Sequence, residues 1–398
     1  MSKKEKYGGE SMRNFKFYNP TKIFFGKNSI VNLEEQLSDE FNNILIVYGG
    51  GSIKKNGLYD SVVDILKKMK KNFWELEGVT PNPRLSKVYE GIDICKKNNI
   101  DLILAVGGGS VIDCSKAIAL GAKSNEDIWE NYYKQKNECG EVLSIGTILT
   151  ISATGSEMNN DSVLTNWDTH EKLNYTNDKL YPKFSILDPT YTLTLPREQT
   201  VYGSIDILIH IFEQYFSKPD VPNISDHFSE CLIKDVIENL NLVIKNETDY
   251  EVRSNLMWAS TLALNGIIGL GKEQDWSSHN IGHALSALYD IPHGATLSII
   301  FPGWMKFVYK LSIEKFKRYA IEIWNIKEEN KTDIQIAEEG IEKTKQFFSN
   351  LGAPVSLKEV NLSNSDFKKI ISVIDIDNAG SYKKITETDI ENILNNCL

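Results

Sequence analysis

Hydrophobic residues are distributed in two different ways along the chain, and the change comes near residue 190. Before that position, helical segments alternate with a short continuous apolar run at 44–47 and with further short, largely apolar segments at 101–106, 144–149 and 184–187. Such runs are typical of strands that are buried on both faces of a parallel sheet. Strands that alternate with helices predict right-handed crossovers and a doubly wound α/β domain over residues 12–190.

The second half of the chain is predicted to be helical. From Pro196 onward, apolar residues recur at helical spacing, through 250–271, 279–290 and 314–349. No further unit of strand, glycine loop and helix recurs there, so we predict an all-helical domain over residues 191–398. The last helix is predicted to begin at a capping box formed by Thr388 and Glu391.

The N-terminal residues carry weaker patterns. Residues 1–11 are polar and include a glycine pair, which indicates a disordered extension or a scar of cloning. Between residues 15 and 25, aromatic and polar residues alternate around Asn19 and Pro20. That alternation predicts a strand, a turn and a second strand.

Composition restricts the possible partners. The 398-residue chain has a net charge of −10 and no block of five or six like charges. An acidic surface argues against nucleic acid or an anionic membrane as a partner, and no apolar run is long enough to span a bilayer. The five cysteines are scattered and form no CxxC motif. Scattered cysteines favour reduced thiols and a cytoplasmic protein.

Two glycine-rich loops directly follow predicted strands. Gly49-Gly-Gly-Ser52 comes after the first of them, and Gly107-Gly-Gly-Ser110 comes after the strand at 101–106. Glycines let backbone N–H groups approach a phosphate, and the N-terminus of the next helix adds positive potential. A tight strand-to-helix turn would explain one such loop equally well. Two loops on adjacent strands favour a dinucleotide across the carboxyl ends of the sheet.

The first loop also bears on which dinucleotide binds. An NAD site usually presents an acid to the ribose 2′-hydroxyl, whereas a 2′-phosphate needs space and positive charge. Glycines 49–51 stand where an acid would be expected, and Lys54 and Lys55 lie just beyond them. This arrangement favours NADP(H) over NAD(H), although a solvated helix face would account for the two lysines as well.

Histidines are concentrated in one stretch of the helical half. His279 and His283 are four residues apart and therefore leave the same face of a helix, and His293 follows a predicted turn. Asp206 and His210 are also four residues apart, on another predicted helix. One carboxylate with imidazoles from separate helices suits one divalent ion, Fe²⁺ or Zn²⁺.

Four imidazoles for three ligand positions leave one over. Of His279 and His283, the one that does not bind the ion would lie one helical turn away, where it is suited to proton transfer near neutral pH. The residues alone do not decide which of the two it is. The two remaining histidines, His170 and His227, lie among charged or polar residues and are predicted at the surface.

Six motifs occur in the order of a known family. They are Met12-Arg-Asn-Phe-Lys-Phe-Tyr-Asn-Pro-Thr-Lys-Ile-Phe-Phe-Gly26, Glu77-Gly-Val-Thr-Pro-Asn-Pro83, Ala105-Val-Gly-Gly-Gly-Ser-Val-Ile-Asp113, Ala153-Thr-Gly-Ser-Glu157, Leu193-Thr-Leu-Pro196 and Tyr289-Asp-Ile-Pro-His-Gly294. With these motifs, residues 12–398 resemble the iron-dependent (group III) alcohol dehydrogenase family. The resemblance is strongest to its branch of butanol dehydrogenases and NADPH-dependent aldehyde reductases.

The resemblance implies a dehydroquinate synthase-like two-domain fold, with a Rossmann-like N-terminal domain, a helical C-terminal domain and an active site in the cleft between them. It also implies a homodimer. By position, the family's metal ligands fall on Asp206, His210, His279 and His293, and His283 lies between metal and nicotinamide as the catalytic residue. The dinucleotide contacts fall on Gly50, Gly51, Ser52, Asn82, Gly109, Ser110, Thr150, Thr154, Lys172, Thr192 and Leu193. Asp161 is a further expected contact, and it stands where some relatives have asparagine near the cofactor ribose.

The implied activity is a metal-dependent, NADP(H)-linked interconversion of primary alcohols such as butanol with their aldehydes by hydride transfer. Two other interpretations stay open. Dehydroquinate synthase and glycerol-1-phosphate dehydrogenase resemble this architecture and act on phosphorylated substrates, but the segments around Asp206, His279 and His293 contain almost no Lys or Arg. A non-catalytic metal or nucleotide sensor would be expected to lack a ligand or a glycine loop, and none is lacking.

Overall fold

Residues 12–37, 40–374 and 380–398 are described by the computed structural model, and contacts within the chain divide it into two units. The sheet unit contains residues 18–200 and 239–265, and the helical unit contains the described residues of 1–17, 201–238 and 266–398. Residues 239–265 thus group with the sheet unit, and the domain ranges 12–190 and 191–398 stay predictions. The extension predicted at 1–11 lies outside the described residues.

Strands occur only in the sheet unit of the described chain. They are β1 Lys22–Phe25, β2 Asn43–Tyr48, β3 Asn72–Leu76, β4 Leu102–Gly107, β5 Ser144–Leu149, β6 Asp161–Asn166, β7 Glu171–Thr176 and β8 Phe184–Leu187. Six of them form one sheet in the order β3–β2–β4–β5–β8–β1, in which every neighbouring pair is parallel. The remaining two, β6 and β7, form an antiparallel hairpin. The predicted α/β class with a parallel sheet is confirmed.

Both faces of the parallel sheet are covered, which explains the continuous apolar runs. In β2, Leu45 and Val47 belong to one buried cluster, whereas Ile44 and Ile46 belong to another. Successive side chains of a strand point to opposite faces. A strand with a core on each side is therefore apolar on both faces, and in β2 the sequence signal is a run rather than an alternation.

The described chain also contains fourteen α-helices. They are α1 Leu33–Gln36, α2 Ser52–Lys55, α3 Leu58–Lys68, α4 Leu85–Asn98, α5 Gly109–Lys123, α6 Arg197–Tyr215, α7 Ile224–Val243, α8 Tyr250–Ala263, α9 Ser277–Tyr289, α10 His293–Val308, α11 Ile313–Trp324, α12 Asp333–Asn350, α13 Phe367–Ile371 and α14 Glu387–Asn396. Helices α9 to α14 and most of α6 and α7 belong to the helical unit. Within the described ranges, none of these helices combines the length and the apolarity needed to cross a membrane.

For residues 15–25, the prediction of a first strand before the turn is wrong. Only β1 forms, and residues 12–21 adopt no regular structure. Phe15, Phe17 and Tyr18 are 52%, 49% and 48% exposed. Their alternation with polar residues therefore does not mark a half-buried strand, and an alternating segment becomes a strand only where a neighbour pairs with it.

Three helix limits also differ from the prediction. The pattern at 314–349 belongs to two helices, because α11 ends where Asn325 takes a left-handed backbone with φ 55°. The helix predicted at 250–271 ends at Ala263. Helix α14 begins at a capping box of Thr386 and Asp389, two residues before the predicted one. Threonine stands at both 386 and 388 with an acid three residues later, so the sequence motif fits either register.

A buried lysine connects α5 to the loop that leads into β6. The Lys116 ammonium is fully buried and donates to the Ser156 hydroxyl at 2.8 Å, to the Asn159 side chain at 2.9 Å and to the Asp161 carbonyl at 2.8 Å. Burial lowers the pKa of Lys116 to about 8, and burial raises the pKa of Asp113, which accepts from the same Ser156, to about 6. Both groups therefore carry charge at neutral pH inside the protein.

All five cysteines are free. Cys95, Cys114, Cys139 and Cys397 are buried, and Cys231 on α7 is exposed. Burial raises the pKa of Cys95, Cys114 and Cys397 to about 12. These three thiols therefore stay protonated at neutral pH.

Candidate metal centre and dinucleotide-binding edge

Four side chains of the helical unit meet around one carboxylate oxygen. The Asp206 Oδ1 atom lies 3.7 Å from His210 Nε2, 3.7 Å from His279 Nε2 and 3.6 Å from His293 Nε2. Helix α6 carries Asp206 and His210 one turn apart, α9 brings His279 from its first turn, and α10 begins with His293. The structure thus places all three predicted imidazole ligands beside Asp206. The ligand atoms of Asp206, His279 and His293 all lie within 4.8 Å of one another, and His210 lies outside that closer group.

The spacing of these atoms fits a divalent ion. Two ligand atoms that each lie about 2.1 Å from a tetrahedral ion are about 3.4 Å apart, close to the separations around Asp206 Oδ1. His279 Nε2 is buried and makes no hydrogen bond within the described chain, which suits an atom that donates to a cation. One carboxylate and three imidazoles are ligands that both Fe²⁺ and Zn²⁺ accept. The assignment of these four residues as ligands stays a prediction.

Burial and charge act differently on two of the imidazoles. Burial lowers the pKa of His210 to about 4, against the attraction of Asp206, so His210 is neutral at pH 7 as a metal ligand must be. Burial also lowers the pKa of His279, but the carboxylates of Glu213 and Asp206 outweigh it and raise that pKa to about 9. Binding of a cation by His279 therefore displaces a proton at neutral pH.

His283 lies beside this group rather than within it. Its ring centre is 5.0 Å from that of His293 and 6.2 Å from that of His279, one turn earlier on α9. Its side chain is partly exposed, whereas His279 is buried. This placement agrees with a separation of roles between His279 and His283, and the catalytic role of His283 stays a prediction.

The position of His293 depends on a close approach between α10 and α6. A Cβ atom at Gly294 would lie 2.2 Å from the backbone oxygen of Tyr202. No larger residue fits there without moving one of the two helices. The glycine after His293 therefore lets the first turn of α10 reach the helix that carries Asp206.

Glu213 is a residue at this centre that the sequence interpretation missed. It is fully buried, and its carboxylate contacts Nδ1 of His279 and accepts from the backbone N–H of Ser278 at 2.7 Å. Burial raises the pKa of Glu213, and the His279 ring opposes that shift. Its spacing contains a signal, because positions 206, 210 and 213 lie on one face of a helix.

The predicted dinucleotide contacts follow the carboxyl ends of the parallel strands. Register pairs Tyr48 with Val106, Gly107 with Leu149, and Leu149 with Leu187, so β2, β4, β5 and β8 end at the same edge. The chain passes from β2 outward to β3 and returns to β4 on the other side of β2. That reversal is a topological switch point, where open α/β sheets bind ligands. The two glycine-rich loops follow the two strands at this point.

Several of these residues lie in contact. The Lys172 ammonium on β7 donates to the side-chain oxygen of Asn82 at 3.0 Å. A Cβ atom at Gly109 would lie 2.3 Å from Oγ1 of Thr154, so the start of α5 packs directly on that threonine. The backbone N–H of Thr150 donates to Gly107 at 3.0 Å. The loops after β4 and β5 are thereby held together.

The other predicted contacts are spread along this edge and the hairpin. A Cβ atom at Gly50 or Gly51 would meet no atom within 4 Å, so this loop is open, and Ser52 and Ser110 lie in the first turns of α2 and α5. Thr192 and Leu193 follow β8. The Asp161 carboxylate accepts from Asn174 at 3.0 Å and from Thr176, across the hairpin. The dinucleotide roles of all these residues stay predictions.

The two remaining histidines differ in exposure. His227 is exposed, as predicted, whereas His170 is only partly exposed and packs edge-on against Trp167. Trp304, one of the aromatic residues near the ligands in sequence, is fully buried and packs against Phe301 and Phe216. It therefore belongs to the core of the helical unit.

Comparison with known proteins places the chain among characterised enzymes. Family models match residues 20–189 (iron-containing alcohol dehydrogenase) and 200–398 (Fe-containing alcohol dehydrogenase family, C-terminal). The chain is 43% identical over 384 residues to NADH-dependent butanol dehydrogenase A of Clostridium acetobutylicum, which spans 96% of this chain and 98% of that protein. It is 37% identical over 366 residues to an NADPH-dependent aldehyde reductase of Escherichia coli, and the match covers 92% of this chain and 93% of that protein.

A solved structure gives the same result. The crystal structure of NADH-dependent butanol dehydrogenase A from Thermotoga maritima superposes with a TM-score of 0.93 at 42% identity. The match covers 97% of this chain and 99% of that chain.

Proposed function

Because the chain belongs to the iron-containing alcohol dehydrogenase family and is an oxidoreductase that works with a nicotinamide dinucleotide, we propose that it interconverts primary alcohols such as butanol with their aldehydes. The resemblance found in its motifs is confirmed. The observation that carries the proposal is the convergence of three imidazole nitrogens, from His210, His279 and His293, on Asp206 Oδ1 at 3.6 to 3.7 Å. One relative is named as a butanol dehydrogenase and another as an aldehyde reductase, and both names support this substrate class.

Each part of the proposed mechanism falls to particular side chains. When bound, a divalent ion would act as a Lewis acid toward the substrate oxygen, and the dinucleotide would supply or accept the hydride. Asp206 provides the negative charge of the ligand set, and the imidazoles provide neutral donors. The side chains of Asp206 and His279 are 4% and 7% exposed, whereas that of His293 is 22% exposed. Water and substrate therefore reach the cluster on the His293 side.

His283 lies on that accessible side. Its partly exposed imidazole is 5.0 Å from the His293 ring, centre to centre. An imidazole exchanges protons readily near neutral pH. We propose that it accepts the proton released when an alcohol is oxidised, and returns one when an aldehyde is reduced.

Phosphorylated substrates are less well supported. A phosphate ester is usually held by Arg or Lys, which form charge-assisted hydrogen bonds with it. In the described chain, Asp206 lies beside all three imidazoles, Glu213 contacts His279, and each of the three rings has another aromatic ring beside it. An uncharged alcohol or aldehyde needs no such cation. The homodimer and the cytoplasmic location inferred from the sequence remain proposals.

Turnover of a short aldehyde tests the proposed function. Purified protein treated with a chelator and then reloaded with Fe²⁺ or Zn²⁺ is expected to oxidise NADH or NADPH when butanal is added, followed by absorbance at the nicotinamide band. The chelated protein should be inactive until metal returns, which is the control. No turnover of any aldehyde by metal-loaded protein would contradict the proposal.

The choice between NADH and NADPH depends on the charges beside the first glycine-rich loop. The sequence favours NADP(H) through Lys54 and the absence of an acid at 49–51. In the structure, the Lys54 ammonium donates to Glu77 at 3.3 Å and lies 3.9 Å from Glu75. The backbone N–H of Gly78 donates to the carbonyl oxygen of Gly49. Glu75 and Glu77 precede Gly78 in the chain, so both acids lie next to the glycine-rich loop. They offset the lysine that would attract a 2′-phosphate, and they support NAD(H) use as well.

Replacing Glu77 with glutamine is expected to shift the coenzyme preference toward NADPH. Lys54 and then Tyr48 hold the pKa of Glu77 below its usual range, so the acid is ionised at neutral pH and repels a 2′-phosphate. Removing that charge leaves Lys54 available to the phosphate. The ratio of kcat/KM for NADPH to that for NADH should rise several-fold, on the order of fivefold, and more at low salt.

Glu34→Gln provides the matched control for this measurement. Glu34 pairs with Lys68 at 2.6 Å on the surface of the same unit, away from the glycine-rich loops. That variant should leave the coenzyme ratio unchanged. An unchanged ratio in Glu77→Gln as well would show that the acid does not face the ribose.

A further inference from the structure

We propose that Glu213 is a positioning residue for the metal centre, which sets the tautomer of His279 so that the Nε2 lone pair points toward Asp206. The inference rests on the proposed function, because it assumes that His279 binds a cation. It concerns how this chain orients one ligand of the ion. Glu213 would touch neither substrate nor dinucleotide and would act only through His279.

Both carboxylate oxygens of Glu213 contact the first turn of α9. Oε1 accepts the backbone N–H groups of Ser278 at 2.7 Å and of His279 at 3.2 Å. Oε2 contacts the Nδ1 atom of the His279 ring. The side chain is fully buried. A carboxylate held by two backbone donors through one oxygen cannot rotate away, so its second oxygen stays on the ring.

The chemistry of the two partners fixes the proton. A neutral imidazole that binds an ion through Nε2 carries its one ring hydrogen on Nδ1, and the Oε2 atom of Glu213 contacts Nδ1, where it can accept that hydrogen. Once the ion has displaced the second ring proton, the other nitrogen offers its lone pair to the ion. That nitrogen is Nε2, which lies 3.7 Å from Asp206 Oδ1. Hydrogen bonds of this kind orient histidine ligands and raise their basicity in many metal sites.

A structural role alone would also explain part of the arrangement. The N–H groups of Ser278 and His279 lie in the first turn of α9, where helical donors lack partners within the helix. Glu213 thus caps α9 from a neighbouring helix. Capping needs only an accepting oxygen at the Oε1 position, whereas fixing the tautomer needs a second acceptor at the Oε2 position. The two roles can therefore be separated by one substitution.

Glutamine at 213 makes that separation. Its carbonyl oxygen can replace Oε1 and keep both backbone hydrogen bonds, so the cap survives. Its amide nitrogen then faces Nδ1 and donates to it, which moves the ring proton to Nε2. An imidazole protonated at Nε2 cannot bind the ion through that atom. A capping role alone predicts normal metal binding by Glu213→Gln, whereas a positioning role predicts weak binding.

The experiment measures metal affinity without any turnover. Metal-free full-length protein is titrated with Zn²⁺ against a competing chelator, and Glu213→Gln is expected to bind 10- to 100-fold more weakly than the wild type. Glu157→Gln is the matched control, because Glu157 is also fully buried and uses one oxygen for the Thr261 hydroxyl in the sheet unit. That variant should bind Zn²⁺ as the wild type does. Equal affinity of Glu213→Gln and wild type overturns the inference.

A second measurement on the wild type keeps the test independent of how the variant folds. With ¹⁵N-labelled histidine, the zinc-loaded protein should show His279 protonated at Nδ1 and bound through Nε2. Binding through Nδ1, or a proton on Nε2, overturns the inference even if Glu213→Gln fails to fold. A wild type that binds no metal at all counts against the proposed function instead, since the ligand set itself would then be wrong.

Discussion

Asp206→Asn is expected to lose the metal ion and to lower kcat/KM for butanal on the order of 1,000-fold. Asp206 Oδ1 is the atom that His210, His279 and His293 share as a neighbour, at 3.6 to 3.7 Å. It also supplies the only negative charge among the four predicted ligands. Without it, three neutral imidazoles would face a divalent charge. Lewis-acid catalysis contributes several kcal/mol, and each 1.4 kcal/mol changes a rate about tenfold.

The measurement combines metal content with kinetics on the same preparations. Asp290→Asn serves as the control, because Asp290 is exposed at the end of α9 and has a left-handed backbone with φ 53°, which asparagine also adopts. It should retain both metal and activity. Full metal content in Asp206→Asn would contradict the assignment of this carboxylate as a ligand.

Lys116→Met is expected to destabilise the protein by about 3–5 kcal/mol, because it leaves several buried acceptors without a donor and the buried Asp113 carboxylate without its neighbouring positive charge. The ammonium of Lys116 donates hydrogen bonds to three groups, which are the Ser156 hydroxyl, the Asn159 side chain and the Asp161 carbonyl. Methionine fills a similar volume and offers no donor. The Asp113 carboxylate, which shares Ser156, would lose the neighbouring positive charge.

Chemical denaturation followed by circular dichroism checks this expectation. Lys123→Met is the control, since Lys123 is exposed in the last turn of the same helix, α5. Its loss of stability should stay within about 0.5 kcal/mol. If Lys116→Met fell in the same range, the buried network would not hold the loop between β5 and β6 in place.

The sequence predicted a segment correctly where the burial of that segment leaves a pattern of apolar residues. The strands at 144–149 and 184–187 were placed correctly, because burial on both faces leaves short, largely apolar segments. The β6–β7 hairpin was missed, since it carries polar residues such as Lys172 and Asn174 that mark no buried face. The two capping motifs near 386 differ by two residues, and only tertiary packing of Ile390 and Ile393 distinguishes them.

The candidate site shows the same limit. Spacing alone identified the pairs Asp206–His210 and His279–His283, because residues four apart share a helical face. Glu213 was missed although it lies on the face of Asp206. Its partner is the ring of His279, 66 positions away in the chain, and no local pattern connects them. A carboxylate that acts through a distant histidine is visible only in three dimensions.

The distribution of the thiols has a chemical consequence. Four cysteines lie inside the protein, and burial keeps three of them protonated far above neutral pH. Alkylating reagents attack thiolates that solvent can reach, so they distinguish Cys231 from every other sulfur of the folded chain. Covalent labelling is therefore directed to one exposed cysteine on α7, where a reporter group can be attached without first removing the buried native cysteines.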